Sequence, residues 1–141
     1  MEEYRFFHPI EIRYGDLDPQ GHVNNARHLT FFEQARVQYF IQLGLWSLDQ
    51  SFMDIGVILA DAQVTYLQPI HFGQSLRVGV RAVKLGSKSI TIAQNITDAG
   101  SGEMLASGGV VMVAYDYRAR QTVPVPEEWR GKIRAFEGMG E

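Results

Sequence analysis

The hydrophobic period of this chain changes once, near residue 57, and that change constrains the fold more than any single motif. From Ala26 to Leu43 the apolar residues Leu29, Phe32, Ala35, Tyr39, Phe40 and Leu43 recur at steps of three and four, while Arg27, Gln34, Gln38 and Gln42 take other faces. The spacing predicts a helix of about five turns. Gly44 is placed to stop it, because glycine accepts the left-handed conformation that commonly ends helices. Trp46 to Gly56 reads as a less regular connection. From Val57 the period is two. Ile58, Ala60, Ala62, Val64 and Tyr66 form one alternating set, Leu76, Val78, Val80 and Ala82 a second, Ile90, Ile92 and Ile96 a third, and Val110, Met112 and Ala114 a fourth. The turns between them, Gln68-Pro69 through Gly73, Leu85-Gly86-Ser87 and Asp98 through Gly102, are too short for parallel crossovers.

Tyr4 to Arg13, rich in aromatic and β-branched residues, adds an opening strand in which Pro9 belongs near an edge or a bulge. Pro124 to Glu141 reads as a weakly packed end. One long helix and about five strands predict an α+β fold, with a curved antiparallel sheet of five or six strands wrapped around the helix to cover its apolar stripe. The 141 residues fit one domain, 1–141. Such a sheet leaves long strand edges open, which predicts pairing with a second copy of the chain.

Composition narrows the function. With 45% hydrophobic and 21% charged residues and no long apolar run, the chain reads as a globular protein without membrane insertion. The start MEEYRFFHPIE carries acids where a secretory signal needs basic residues, and cysteine is absent. Both fit a cytoplasmic location, and the second removes disulfides, thiolate metal sites and cysteine nucleophiles together. A net charge of -3 gives no electrostatic reason to expect nucleic acid. Serine-hydrolase elbows, P-loops and dinucleotide fingerprints are also missing from the sequence.

The stretch YGDLDPQGHVNNARH, Tyr14 to His28, carries the chemistry. Asp, Pro, Gly and Asn are turn formers, and Asn24 or Asn25 can cap the helix that follows. The same geometry also suits catalysis, since the first N–H groups of a helix have no partners inside it and can hold a carbonyl oxygen that turns negative during attack. Asp18, held extended by Pro19, would place a carboxylate nearby. Asp16, Asp18 and His22 alone are too few ligands for a carboxylate-rich catalytic metal site, and Glu33, a reserve base, is more simply paired with Arg36 or Arg27.

The run G-D-L-D-P-Q-G-H-V-N-N-A-R with F-F-E-Q-A-R-V-Q-Y-F, and the later V-T-Y-L-Q-P-I-H-F-G-Q-S-L and K-L-G-S-K-S-I-T, resemble the hotdog-fold acyl-CoA thioesterases of the 4-hydroxybenzoyl-CoA thioesterase-like group over roughly residues 5 to 117. The resemblance implies a hotdog fold, a thioester hydrolase without metal or cofactor, an acyl-CoA substrate, and a homodimer or tetramer of dimers. It puts the catalytic carboxylate on Asp18 and the polarising amide on Asn25, with His22 beside them. Asn24, Tyr66, Gly86, Ser87, Lys88 and Ser89 become candidates for substrate binding, with Lys84, Arg118 and Arg120 nearby for the phosphates. Phe31, Phe32, Phe40, Trp46, Phe52 and Met53 are expected to divide between core and acyl tunnel. A non-catalytic acyl-CoA-binding module is the competing reading, against which the acid at position 18 argues.

Overall fold

The computed structural model describes residues 4–140. Strand β1 (Phe6–Glu11) leads through a loop into helix α1 (Arg27–Leu43), followed by β2 (Val57–Tyr66), β3 (Ser75–Leu85), β4 (Ser89–Asp98), β5 (Met104–Asp116), the two-residue β6 (Gln121–Thr122) and helix α2 (Glu127–Glu137). All pairings are antiparallel, and the strand order is β1-β3-β4-β5-β2 with β6 on β5. The sheet curls into a half-barrel, the hotdog architecture expected from the sequence. Pro9 sits on edge strand β1, where its missing N–H costs the sheet no ladder bond.

Alternation along the strands and the helical stripe meet in one core. Phe32, Ala35, Tyr39 and Phe40 of α1 pack with Val78, Val80, Ile92, Ile96 and Val110 of the sheet. Gly44 ends α1 at φ 76°, the left-handed conformation that its lack of a Cβ makes cheap. Leu29, expected on the buried face, is 41% exposed, and His28 occupies that face instead, four residues before Phe32. The first helical residue is Arg27, one later than the spacing predicts.

The C-terminal expectation is overturned. Instead of a weakly packed end, residues 127–137 form α2, which buries Trp129 and Ile133 one turn apart. Trp129 meets Phe40 edge to face at 5.6 Å, and Phe136 meets Tyr39 at 5.9 Å. Burial, reinforced by a hydrogen bond to Glu137 and its charge, holds the Tyr39 hydroxyl pKa well above the ordinary tyrosine value. α2 thus closes the open end of the core next to α1. Among the described residues no helix is long and apolar enough to cross a membrane.

Candidate active site

The segment between β1 and α1 folds back on itself as a miniature hairpin. Leu17 bridges Val23, the Asp18 N–H donates to the His22 carbonyl at 2.8 Å, and the Asn24 N–H donates to the Asp16 carbonyl at 2.8 Å. Gly21 makes the reversal at φ 79°. The hairpin is then sewn to the segment before β3, where the Val23 N–H reaches the Ile70 carbonyl at 2.8 Å and His22 bridges His71. The two histidine rings meet edge to face at 4.8 Å.

Within this frame the two acids take opposite parts. Asp16 is fully buried, and its Oδ2 accepts the Arg13 backbone N–H at 2.8 Å. Its Oδ1 accepts from Arg13 Nη2 at 3.0 Å and lies 3.6 Å from Arg27 Nε. Burial by itself would raise the Asp16 pKa, but the hydrogen bonds from Arg13 and the charges of Arg13 and Arg27 outweigh it and hold the carboxyl below the ordinary aspartate value. Asp18 is half-buried, and its Oδ1 accepts the N–H groups of Gln20 at 3.0 Å and His22 at 3.2 Å. Among the described residues Asp18 Oδ2 accepts no hydrogen bond.

The start of α1 is built by a turn. The Asn24 side chain accepts the Ala26 N–H at 2.9 Å, its carbonyl accepts the Arg27 N–H at 2.8 Å, and the His28 N–H reaches the Asn25 carbonyl at 3.4 Å. Asn24 therefore organises the helix start without being the capping residue, a position that Ala26 holds with helical backbone angles. The Asn25 N–H has no hydrogen-bond partner among the described residues.

Asp18, His22, Asn25 and Tyr66 line one cleft of about 250 Å³, together with His28 and the 67–70 segment. His28 was not legible as a site residue. It is 3% exposed, its Nδ1 makes no hydrogen bond, and its ring meets Tyr66 edge to face at 4.7 Å. Burial lowers its pKa; the nearby carbonyls of Asn24 and Asn25, out of hydrogen-bonding geometry, oppose this only in part. The Tyr66 hydroxyl donates to the Asn25 carbonyl at 2.9 Å.

Other predicted residues lie elsewhere. Asn24 is not on the cleft wall. Gly86, Ser87 and Lys88 form the β3–β4 turn and Ser89 opens β4, at the far end of a strand that runs roughly 33 Å from its cleft end. That turn leans on the C-terminal segment, with Arg130 Nη2 donating to the Ser87 carbonyl at 2.9 Å and Lys88 Nζ to Thr122 Oγ1 at 3.1 Å. Arg118 is paired with Asp54. Glu33 makes no direct ion pair with Arg36 or Arg27, since Arg27 turns to Asp16 and Arg36 donates to Gln94 Oε1 at 3.1 Å, although burial lowers the Arg36 pKa and the charge of Glu33 opposes that. Gln94 in turn donates to the Phe32 carbonyl at 2.9 Å, so the sheet supplies a nearer acceptor than the exposed Glu33.

Of the expected tunnel residues, Phe31, Phe32 and Trp46 are core, while Phe52 stacks on Trp46 at 5.1 Å and is exposed, as is Met53. Phe40 alone among them reaches a second cavity of about 210 Å³ between α1 and β2, whose wall includes Glu33, Arg36, Ile58, Leu59 and Met112.

The model of the thioesterase-like superfamily matches residues 12–133 of this chain. The chain is 29% identical over 129 residues to the long-chain acyl-CoA thioesterase FadM of Escherichia coli (strain K12), covering 88% of this chain and 93% of that protein. It is 28% identical over 118 residues to the 1,4-dihydroxy-2-naphthoyl-CoA hydrolase of Thermosynechococcus vestitus, covering 82% and 80%. A thioesterase from Thermus thermophilus, solved with coenzyme A and Zn, matches over 100% of both chains with a TM-score of 0.86 and 37% identity. Among the described residues no group of three or more His, Asp or Glu side chains is placed to hold a metal. The family match spans the miniature hairpin, the helix start it feeds and most of the sheet, and the chain belongs to the thioesterase-like superfamily, among the hotdog-fold acyl-CoA thioesterases.

Proposed function

We propose that this chain hydrolyses the thioester bond of an acyl-CoA, with Asp18 as the reacting carboxylate and the Asn25 N–H as the donor to the developing oxyanion. The observation that carries the reading is the meeting, in one cleft, of a carboxylate oxygen and a backbone N–H that the fold leaves without partners. The N–H lies at the positive end of α1, which favours negative charge on a carbonyl oxygen held there. Water supplies hydroxyl to the acyl carbon and a proton to the sulfur, the C–S bond breaks, and free acid and CoA leave. Asp18 either draws a proton from that water or attacks the carbonyl itself to form an anhydride that water then opens. No step is assigned to a metal. His22, whose ring rests on His71, contributes through its backbone N–H by orienting Asp18.

The relatives act on acyl-CoA esters with different acyl groups, which supports CoA as the shared part of the substrate. The acyl group is read into the trough between α1 and β2, toward the cavity at Phe40 and Ile58. The active unit is read as at least a dimer in the cytoplasm. The outer edge of the ten-residue β2 has no partner strand among the described residues and exposes Ile58 and Leu59. A partner docked there offers a route for the distant turn 86–89 of one copy to reach the CoA held by another. Light scattering should give at least twice 15.9 kDa, and a fully active monomer would refute the shared site.

The test of function is release of free thiol from a panel of acyl-CoAs of graded chain length and aromatic character. Turnover is expected on at least one. Binding of the esters without thiol release would replace this reading with an acyl-CoA-binding module.

A further inference from the structure

Tyr66 is the last residue of edge strand β2, and its hydroxyl crosses 41 residues of sequence to the turn that begins α1. A phenol carries a single proton. Here it is given to the Asn25 carbonyl at 2.9 Å, and a thioester carbonyl only accepts hydrogen bonds, so this hydroxyl has nothing to donate to it. The other donor to the Asn25 carbonyl is the His28 N–H, at a longer 3.4 Å. Asn25 is exposed and its side chain makes no hydrogen bond among the described residues, so the Tyr66 bond is what ties the Asn25 peptide itself to the sheet, between the anchors at Val23 and His28. The Tyr66 ring is in turn braced by the buried His28 ring at 4.7 Å.

We propose that Tyr66 is a positioning residue rather than a substrate-binding one. It holds the peptide that follows Asn25, while the Arg27 N–H on the Asn24 carbonyl holds the peptide that carries the Asn25 N–H. With both planes held, the dihedral angles of Asn25 are fixed and that N–H keeps its direction toward the reacting oxygen. The proposal rests on the oxyanion reading of Asn25 given above.

The experiment is a double-mutant cycle on thioester hydrolysis with Tyr66→Phe and Asn25→Pro. Tyr66→Phe keeps the ring against His28 and removes only the hydroxyl. It is expected to lower kcat about 2- to 10-fold, the range of one ordinary hydrogen bond, with KM within about twofold of wild type. In the Asn25→Pro background, which has no N–H to direct, the same substitution should cost less than about twofold, because the two act through one group. A rise in KM at unchanged kcat, no effect at all, or an equal loss in both backgrounds would each overturn the proposal. Asn25→Pro at the wild-type rate would instead remove the oxyanion reading itself, which separates the two failures. If the proline variant does not fold, the kcat and KM of Tyr66→Phe still decide, backed by its ¹H–¹⁵N spectrum. The Asn25 amide should shift while those of Gln20 and His22, which hold Asp18, stay in place; an unmoved Asn25 amide contradicts the proposal.

Discussion

Two pairs of near neighbours in the loop before α1 are chemically alike and structurally opposite. Asp16 is buried with both oxygens engaged by Arg13 and Arg27, whereas Asp18, two residues on, keeps one oxygen without a partner at the wall of a cleft. Asn24 places its side chain and carbonyl in the turn that starts the helix, whereas the N–H of Asn25 is left unmet. One member of each pair holds the backbone so that the other is presented. The lesson is that a polar residue in this loop is read by its hydrogen bonds, since residue type does not separate anchor from reagent.

The largest expected effect sharpens the contrast at the asparagines. Asn25 is the second residue of the turn closed by the Arg27 N–H on the Asn24 carbonyl, a position where proline is favoured, so Asn25→Pro should fold and lose only an N–H. It should lower kcat about 10²- to 10³-fold, whereas Asn25→Ala, which keeps the N–H, should stay close to wild type. Equal losses in the two variants, measured at saturating substrate, would move the role to the side chain.

Next is the anchoring acid. Asp16→Ala leaves the Arg13 N–H without its acceptor and should destabilise the fold by about 1 to 3 kcal/mol in urea unfolding. The same site sets an acid sensitivity. Its pKa is lower folded than unfolded, so the unfolded chain takes up the proton first as pH falls. The stabilisation is complete above the unfolded aspartate value of about 3.9 and is lost as pH drops through the folded one. Asp16→Ala should flatten that part of the stability curve, and an unchanged acid limb would break the comparison.

Asn24→Ala removes the acceptor of the Ala26 N–H and should cost about 1 kcal/mol, with activity falling in step with the helix start rather than ahead of it. The smallest effect belongs to His28. Burial depresses its folded pKa below 6.5, so its share of stability is full above 6.5 and declines as pH falls below it, until the folded ring also protonates. Thermal melts of wild type and His28→Phe should differ in slope below pH 6.5, and parallel slopes would contradict the assignment.

Much of the fold was legible because it follows from period. The alternating sets became β2 to β5 and all pair antiparallel, and Gly44 and Gly21 sit where positive φ is required. The Gln68–Gly73 turn does not join neighbours as its length suggested, since β2 crosses to pair with β5 while β3 lies between β1 and β4. Helix α2 was missed because Glu127, Glu128, Arg130, Lys132 and Arg134 surround its two buried residues, and a stripe as short as Trp129–Ile133 is faint in sequence. At the site, the co-location of Asp18, His22 and Asn25 was readable, since all three lie in one short loop. Tyr66 was flagged, but its tie to Asn25 was not, because a contact across 41 residues leaves no periodic trace. His28 carried one usable signal, a polar residue four positions before Phe32 on the apolar stripe, which marks a histidine facing inward.

The most direct test is thiol release at saturating acyl-CoA by Asp18→Asn, with melting measured on the same sample. Oδ1 of the asparagine side chain can still accept from Gln20 and His22, so the loop should hold and the melt should stay near wild type. The account predicts a fall in kcat of at least about 10²-fold with KM little changed, as expected when an interaction made in the transition state is lost. A folded Asp18→Asn enzyme with near-normal turnover would contradict it, because Asp18 would then be a second anchor like Asp16.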